Sequence, residues 1–363
     1  MPTPPISDAT IRRTVAAYNK ADGRQQDAAK SLGFSTSTLR GHMKLAKKRG
    51  IIGPDEYPRN PSFARPSKNA PSIEVPKLLD SDIPLAELKK RLIRDSQQKL
   101  DAHWQRQGYI PVNVKADGPI ALAFIGDPHI DDSGCDHKQL YSDVDVIQKN
   151  EHIFSVGLGD YNNNWVGRLA RLYAEQSVTI KQAWALVKDL IESIRPVALL
   201  KGNHNLWSGG TDPLDWMVNG DSTITADWIT KLEFHFPNEM RWRMMAAHNF
   251  PGRSMWNVLH GPQRKATVTG ARAHLYMAGD WHTWGVAQHE DGETSHVYWL
   301  GRARGYKVAD GYATNLGHSP QRFGHTITAV IDPNDGHPVR YTQCFADVAE
   351  AADYLKFKRR KYR

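Results

Sequence analysis

Carboxylate, imidazole and amide side chains recur at the ends of short apolar runs in the middle of this chain. They are Asp127, His129, Asp160, Asn203, His204, His248, Asp280 and His282. Oxygen and imidazole nitrogen ligands suit Mn, Fe, Zn or Mg, whereas the 2 cysteines of the chain are too few for a thiolate site. Two such ions about 3.5–4 Å apart can share a carboxylate, activate a water and hold a phosphoryl oxygen. The residue types therefore predict a two-metal hydrolytic site.

Each polar group follows a run that is typical of a buried strand. The runs cover residues 120–125, 153–158, 197–200, 244–247 and 275–278. Residues 174–194 have the apolar spacing of a helix. Because sites in α/β sheets form where parallel strands end, we expect the five groups to converge on one edge of a sheet.

The order Asp-x-His, Gly-Asp, Gly-Asn-His, strand-terminal His and Gly-x-x-His resembles the calcineurin-like metallophosphoesterase superfamily over residues 120–283. The resemblance implies seven ligands for two divalent metal ions: Asp127, His129, Asp160, Asn203, His248, Asp280 and His282. Asp160 would bridge the two ions, which would share a hydroxide. His204 would be the catalytic residue, placed beside the phosphate to stabilise it or to protonate the leaving oxygen.

Two positions depart from the pattern of that superfamily. Its last motif usually has a histidine where this chain has Asp280, and an acidic residue often stands at the position of Asn205. A carboxylate at position 280 favours harder ions, so manganese is our first choice of cofactor, with Mg, Fe or Zn as alternatives. His260 competes with His248 as the ligand of the fourth motif, and we favour His248 because it ends a strand-like run.

Five further side chains are candidates for substrate contacts. They are Asn163, Asn164, His260, Arg302 and Arg304. The asparagines could donate hydrogen bonds to phosphate or sugar oxygens, although Asn-rich segments are often simply turn formers. The Gly-Asp-x-x-Asp-Arg-Gly pattern of protein phosphatases is missing, which argues against a protein phosphatase.

The first 52 residues resemble the helix-turn-helix domain of phage and bacterial DNA-binding proteins. Three helices are predicted at 11–20, 25–32 and 36–48, with Gly33 at the turn and Ser35 as the cap of the third. That third helix would read DNA through its exposed side chains. The predicted contacts are Ser35, Thr36, Ser37, Thr38, Arg40, Lys44, Lys47 and Lys48. A three-helix bundle for protein contacts is the alternative.

The chain divides into five predicted regions. They are a helix-turn-helix domain (1–52), a Pro-rich linker (53–84), a connecting helix (85–108), a catalytic domain (109–346) and a basic tail (347–363). We expect the catalytic domain to be an α/β fold of two face-to-face β-sheets flanked by helices. Segments 297–300, 325–331 and 339–345 would form strands of the second sheet, with a hairpin-like loop at 332–336.

Charge separates the ends from the middle of the chain. The net charge is +8, with +10 in residues 1–115, +6 in the last ten residues and −8 between them. Basic ends suggest a polyanionic partner. We therefore expect a metal-dependent phosphoesterase that acts on DNA, as a nuclease or in DNA-end processing, and the layout resembles phosphoesterases carried by phages or prophages.

Two other functions remain open from the sequence. One is a phosphatase, or a small-molecule phosphodiesterase, that the helix-turn-helix only localises. The other is a non-catalytic DNA-binding regulator or packaging factor. No apolar run of 18 residues and no signal-like N-terminus occur, so we expect no membrane partner and a cytoplasmic location in a bacterium or a phage-infected host. Protein partners and oligomeric state stay open.

Overall fold

The chain forms two compact units, Met1–Ile83 and Pro84–Arg363. The computed structural model describes residues 6–53, 83–105, 107–208, 213–218, 223–308 and 321–362. The predicted Pro-rich linker falls almost entirely on residues 54–82, outside the described residues. Within the described ranges, no helix is both long and apolar enough to cross a bilayer.

Three helices form the first unit: α1 (Asp8–Lys20), α2 (Gln25–Leu32) and α3 (Thr36–Lys48). The side chains of Ile11, Leu39 and Met43 are buried between them. A left-handed Gly33 (φ 70°) ends α2, and the Ser35 hydroxyl accepts a hydrogen bond from the Thr38 amide at 3.1 Å, which caps α3. The three helices lie where the turn and cap residues predict them, except that α1 begins three residues earlier.

The second unit contains the remaining helices and all the described strands. The helices are α4 (Leu85–Gln105), α5 (His137–Lys149), α6 (Ile180–Ile194), α7 (Asn203–Leu206), α8 (Leu214–Met217), α9 (His260–Val268) and α10 (Val348–Arg359). Short 3-10 helices cover Gly167–Glu175 and Arg360–Tyr362.

The strands form two six-stranded sheets. The strands are β1 (Ile110–Asn113), β2 (Ile120–Ile125), β3 (Ile153–Gly157), β4 (Pro196–Lys201), β5 (Ile224–Asp227), β6 (Ile229–His235), β7 (Arg241–Ala247), β8 (Leu275–Ala278), β9 (Gly285–Glu290), β10 (Val297–Arg302), β11 (Thr326–Ile331) and β12 (Thr342–Phe345). The first sheet has the order β12-β11-β2-β3-β4-β5 and the second has the order β1-β6-β7-β8-β10-β9.

The two sheets pack face to face around an apolar core. Leu122 and Phe124 of β2 share this core with Trp242 and Met244 of β7 and with Met277 of β8. The opposite face of the first sheet packs against α5, α6 and α10, and the opposite face of the second packs against α9. The prediction of two face-to-face sheets flanked by helices is therefore confirmed.

Two expectations about the sheets were wrong. Segment 297–300 does lie in the second sheet, but β11 and β12 belong to the first, because β11 pairs antiparallel with β2. The strands that end in polar groups also divide between the sheets, with β2, β3 and β4 in one and β7 and β8 in the other. Apolar runs that are buried on both faces carry no pattern that assigns a strand to a sheet.

The predicted basic tail is part of the folded body. Helix α10 buries Val348, Ala351 and Leu355 in the core beside α5. Lys358 pairs with Asp332 at 3.1 Å and with Asp335 at 2.9 Å. The region predicted as a basic tail therefore packs on the body, and part of its positive charge is already neutralised within the chain.

A buried hydrogen-bond network ties the end of β2 to the layers around it. The Tyr306 hydroxyl donates to Asp143 of α5 at 2.7 Å and also contacts the hydroxyl of Thr326 on β11. The Tyr306 amide donates to the Asp127 carbonyl at 3.2 Å. Tyr306 thus joins the first polar loop to a helix and to a strand.

Replacing Tyr306 with phenylalanine is expected to destabilise the fold. The change removes one donor from the buried Asp143 carboxylate, which typically costs about 1–3 kcal/mol in the free energy of unfolding. Tyr141→Phe is the matched control, since Tyr141 is 44% exposed and its substitution should stay within about 0.5 kcal/mol. Urea unfolding measures both variants, and equal stabilities of the two would contradict this role of Tyr306.

Candidate metal centre and nucleic-acid interface

The predicted ligands follow five strands that end at the meeting point of the two sheets. From the first sheet, Asp127 and His129 follow β2, Asp160 follows β3, and Asn203 and His204 begin α7 after β4. From the second sheet, His248 follows β7, and Asp280 and His282 follow β8. The centre is therefore assembled from two sheet edges.

Hydrogen bonds cross between the sheets at this point, and two of them join a ligand side chain to the backbone of the opposite loop. His248 Nδ1 lies 2.8 Å from the Leu158 carbonyl, and the Asp280 amide donates to Asp127 Oδ2 at 2.8 Å. Each bond joins a loop of one sheet to a loop of the other. They set the distance between the two halves of the ligand set.

Ligand atoms gather in three overlapping groups. The groups are Asp127 with His129 and His282, His129 with Asp160 and His204, and Asp127 with Asp160 and His248. Within each group the ligand atoms lie within 4.8 Å of one another. Asp127, His129 and Asp160 each belong to two groups, which is the arrangement that neighbouring metal ions with a shared carboxylate require.

The hydrogen bonds of three histidines direct the same ring atom into the centre. The Nδ1 atoms of His248 and His204 lie 2.8 and 2.5 Å from the carbonyls of Leu158 and Asn163, and a carbonyl can only accept. His129 Nδ1 lies 2.8 Å from Asn163 Oδ1. Each Nδ1 must therefore carry a proton, so Nε2 is the ring atom that faces the centre, where it can bind a metal ion in the neutral ring or hold a second proton in the charged ring.

His248 Nε2 faces only oxygen atoms among the described residues. Asn203 Oδ1 lies at 3.0 Å, Asp160 Oδ2 at 3.4 Å and Asp280 Oδ1 at 3.5 Å. Burial alone would lower the pKa of His248, but the carboxylates of Asp160, Asp280 and Asp127 raise it well above the usual value. A ring nitrogen surrounded by acceptors calls for a positive charge, which either a proton on Nε2 or a divalent cation supplies, so these side chains fit a divalent cation.

Asp127 carries a buried oxygen that the described residues leave unpaired. Asp127 Oδ1 accepts no hydrogen bond from them, and burial, together with the nearby Asp160 and Asp280 carboxylates, raises the pKa of Asp127 well above the usual value. Burial also lowers the pKa of His129 well below its usual value, which keeps the ring in its neutral, metal-binding form. A cation here would give Asp127 Oδ1 the partner that it lacks.

The backbone of the centre is held in a rarely populated conformation. The positive φ angles in the described centre are those of Asp127 (45°), His129 (41°), Asp160 (52°), Asn164 (41°), Asp280 (70°) and His282 (48°). A non-glycine residue in this region costs on the order of 1–3 kcal/mol and persists only where its surroundings enforce it. The loops are therefore shaped for the position of their side chains rather than for local stability.

Two residues support the ligand loops, and of these only Asn249 was not singled out from the sequence. Asn205 Oδ1 accepts from the amides of Asp160 at 3.0 Å and of Gly202 at 3.2 Å, which joins the loops after β3 and β4. Asn249 donates to Asp280 Oδ2 at 2.7 Å. The position of Asn249 directly after His248 is the sequence signal that could have identified it.

Three candidate substrate residues contact the ligand loops instead. Asn163 donates to Asp132 Oδ2 at 2.8 Å and accepts a hydrogen bond from His129 Nδ1, so both polar atoms of its side chain have partners within the ligand loops. Asn164 donates to the His204 carbonyl at 2.6 Å. Arg302 has no solvent exposure and donates to the carbonyls of Gly279 and Val258. These contacts favour a positioning role for Asn163, Asn164 and Arg302.

The other two candidates lie apart from the metal ligands. Arg304 is buried and donates to the Gln321 carbonyl, and its remaining nitrogens have no hydrogen-bond partner among the described residues. His260 begins α9 and lies against Gly252. His248 is the histidine that reaches Asp160 and Asn203, as the fourth motif requires of its ligand.

The predicted DNA contacts share one helix of the first unit. Ser35 caps α3, and its hydroxyl lies 2.8 Å from the hydroxyls of both Ser37 and Thr38. Arg40 is exposed and donates to Gln25 at 2.8 Å. Thr36 is half-buried, whereas the lysines of this helix are exposed: Lys44, Lys47 and Lys48.

Replacing Gly202 with alanine is expected to displace the Asp160 carboxylate. A Cβ atom at Gly202 would stand 2.1 Å from Asp160 Oδ1, closer than any stable contact. We expect manganese affinity, measured by calorimetry, to fall by about 10- to 100-fold while the far-ultraviolet circular dichroism stays unchanged. Gly292→Ala is the control because its Cβ would meet nothing within 4 Å. Wild-type affinity in Gly202→Ala would show that Asp160 is not a ligand.

Comparisons with known proteins give similarities of structure only. No protein-family model and no curated protein matches the sequence. Vps29 complexed with zinc from Entamoeba histolytica has a TM-score of 0.31 and 11% identity, covering 63% of this chain and 99% of that one. A predicted phosphoesterase from Streptococcus pneumoniae TIGR4 has a TM-score of 0.28 and 10% identity, covering 64% and 99%. NAD nucleotidase from Haemophilus influenzae has a TM-score of 0.32 and 8% identity, covering 63% and 49%.

Proposed function

We propose that this chain is a phosphoesterase that hydrolyses phosphodiester bonds in DNA with two divalent cations, manganese being our first choice. One observation carries the proposal: imidazole nitrogens and buried carboxylates from two sheets form three overlapping groups, and within each group the ligand atoms lie within 4.8 Å of one another. The proposed ligands are Asp127, His129, Asp160, Asn203, His248, Asp280 and His282. When bound, the ions would activate water and polarise the phosphoryl oxygens.

His204 has the surroundings of a proton donor beside such a centre. Its Nδ1 proton is held by the Asn163 carbonyl, and its Nε2 lies 3.9 Å from Asp160 Oδ2. Its side chain is 12% exposed, so a substrate oxygen can reach the ring. We infer that Nε2 of His204 stabilises the phosphate or gives a proton to the leaving oxygen.

The first unit supports DNA as the substrate. Its third helix presents Arg40, Lys44 and Lys48 to solvent, and residues 1–83 carry a net charge of +6. Positive side chains on one exposed helix match the phosphate backbone of nucleic acid. The C-terminal segment offers less positive charge to DNA than its composition suggests, because Lys358 is neutralised within the body.

A plasmid-cleavage assay with manganese tests the proposed reaction. Wild type is expected to cleave the plasmid, and His204→Ala and Asp160→Ala should each lower the rate by at least about 100-fold, because a proton donor or a bridging ligand is lost. Asp145→Ala is the control, since Asp145 is exposed on α5 and pairs with Lys149.

Two results, from the plasmid assay with a second substrate and from metal analysis, would contradict the proposal. Intact plasmid together with turnover of a generic aryl phosphate would indicate a phosphatase that the first unit localises. Fewer than one metal ion per chain after reconstitution with manganese would indicate a non-catalytic DNA-binding protein.

Removing three charges from α3 is expected to weaken DNA binding without changing the chemistry. The triple variant Lys44→Ala, Lys47→Ala, Lys48→Ala should bind duplex DNA more weakly. The slope of its log binding constant against log salt concentration should fall by the amount expected for the loss of up to about three phosphate contacts. Turnover of a small chromogenic phosphodiester should stay unchanged. Lys138→Ala, Lys181→Ala, Lys188→Ala makes the same change of charge on exposed positions of the second unit. Equal salt dependence of the two triple variants would exclude α3 as the DNA-binding surface.

A further inference from the structure

The proposed catalytic histidine lies beside two tryptophans. The His204 ring centroid is 4.2 Å from that of Trp207 and 5.3 Å from that of Trp165. The two indoles are 6.3 Å apart and tilted by only 26° from each other. One tryptophan follows Asp160 in the loop after β3, and the other follows α7 directly, so the loops that supply ligands also supply the indoles.

Trp207 presents much of its indole to solvent. It is 41% exposed, whereas the proposed ligands around it are mostly buried. Leaving a large apolar ring in water forgoes stabilisation that burial would provide, at about 25 cal/mol per Å². An exposed indole beside a reacting centre is typical of a surface that a flat ligand covers.

A second exposed indole lies against a ligand from the other sheet. The ring of Trp228 is 6.2 Å from that of His248, and Trp228 is 48% exposed. Its backbone φ is 54°, a conformation that tryptophan rarely adopts without enforcement by its surroundings. Exposed indoles thus accompany a histidine of each sheet.

We propose that Trp207, supported by Trp165, stacks on an unpaired nucleobase next to the phosphate that is cleaved. The inference rests on the proposed function and names its substrate class as single-stranded or frayed DNA. A base inside a duplex hides its faces in the stack, whereas an unpaired base offers a face to an indole. Stacking is tolerant of sequence, so it positions the strand without selecting a base.

A binding experiment without metal tests the stacking by itself. The full-length protein in EDTA is titrated with a fluorescent thymidine hexamer. It is also titrated with a fluorescent abasic hexamer, which has the same phosphates but no bases. The helices of the first unit meet the same charge in both probes. Wild type should bind the thymidine hexamer roughly 5- to 150-fold more tightly, the range that stacking of one base provides.

Variants assign that difference to one indole. Trp207→Ala should reduce the ratio of the two affinities to about 1, and Trp207→Phe should retain part of it because a smaller ring still stacks. Trp216→Ala is the control, since Trp216 is 74% exposed on α8 in the neighbouring segment. A Trp207→Phe variant that keeps part of the affinity ratio also shows that the loss in Trp207→Ala comes from the missing ring and not from unfolding.

The outcomes distinguish this inference from the proposed function. Equal affinities of wild type for the two hexamers, or an equal loss in Trp216→Ala and Trp207→Ala, would overturn the stacking even if the protein cleaves DNA. A base-dependent affinity that vanishes in Trp207→Ala, in a protein that cleaves no DNA with manganese, would support the stacking and reject the hydrolysis. Faster cleavage of paired than of unpaired strands would reject single-stranded DNA as the substrate class.

Discussion

The arrangement of the centre depends on two hydrogen bonds that cross from one sheet to the other. The Leu158 carbonyl fixes the ring of His248, and Asp127 Oδ2 fixes the backbone at Asp280. The first sheet alone brings together His129, Asp160 and His204, whereas the other two groups are completed only by His282 or His248 from the second sheet. Phe124, Trp242 and Met277 lie in the core between the two sheets. This packing therefore also sets the distance between the sheet edges that the two hydrogen bonds require. In this fold, a change in core packing would therefore also change the positions of the ligand loops.

The convergence of these polar side chains could be predicted, because each follows an apolar run and the run itself indicates a strand. The division of the strands between sheets could not. β2 and β8 are both buried on both faces, so period and composition are the same for either sheet. Partner choice is decided by long-range pairing, such as that of β11 with β2, which leaves no local trace in the sequence.

The roles of the polar residues around the ligands were equally hidden. Asn163 and Asn164 stand in an Asn-rich stretch that suits substrate contacts or turns, and the sequence cannot show that Asn163 is already engaged by His129 and Asp132. Lys358 and Arg359 have the composition of a nucleic-acid-binding tail, yet their partners are an aspartate and a backbone carbonyl of the same body. Charge counted along a sequence overstates the charge that a surface offers.

The left-handed backbone of Asp127, His129, Asp160, Asp280 and His282 has a consequence for how this sequence can change. Glycine adopts that conformation without strain, so at these five positions the substitution that relaxes the backbone is also the one that deletes a ligand. Selection for a more stable chain and selection for a complete ligand set therefore act in opposite directions at the same residues. A related chain that no longer needed the metal centre would be expected to acquire glycine at these five positions first, and each such substitution would increase stability while removing a side chain of the centre.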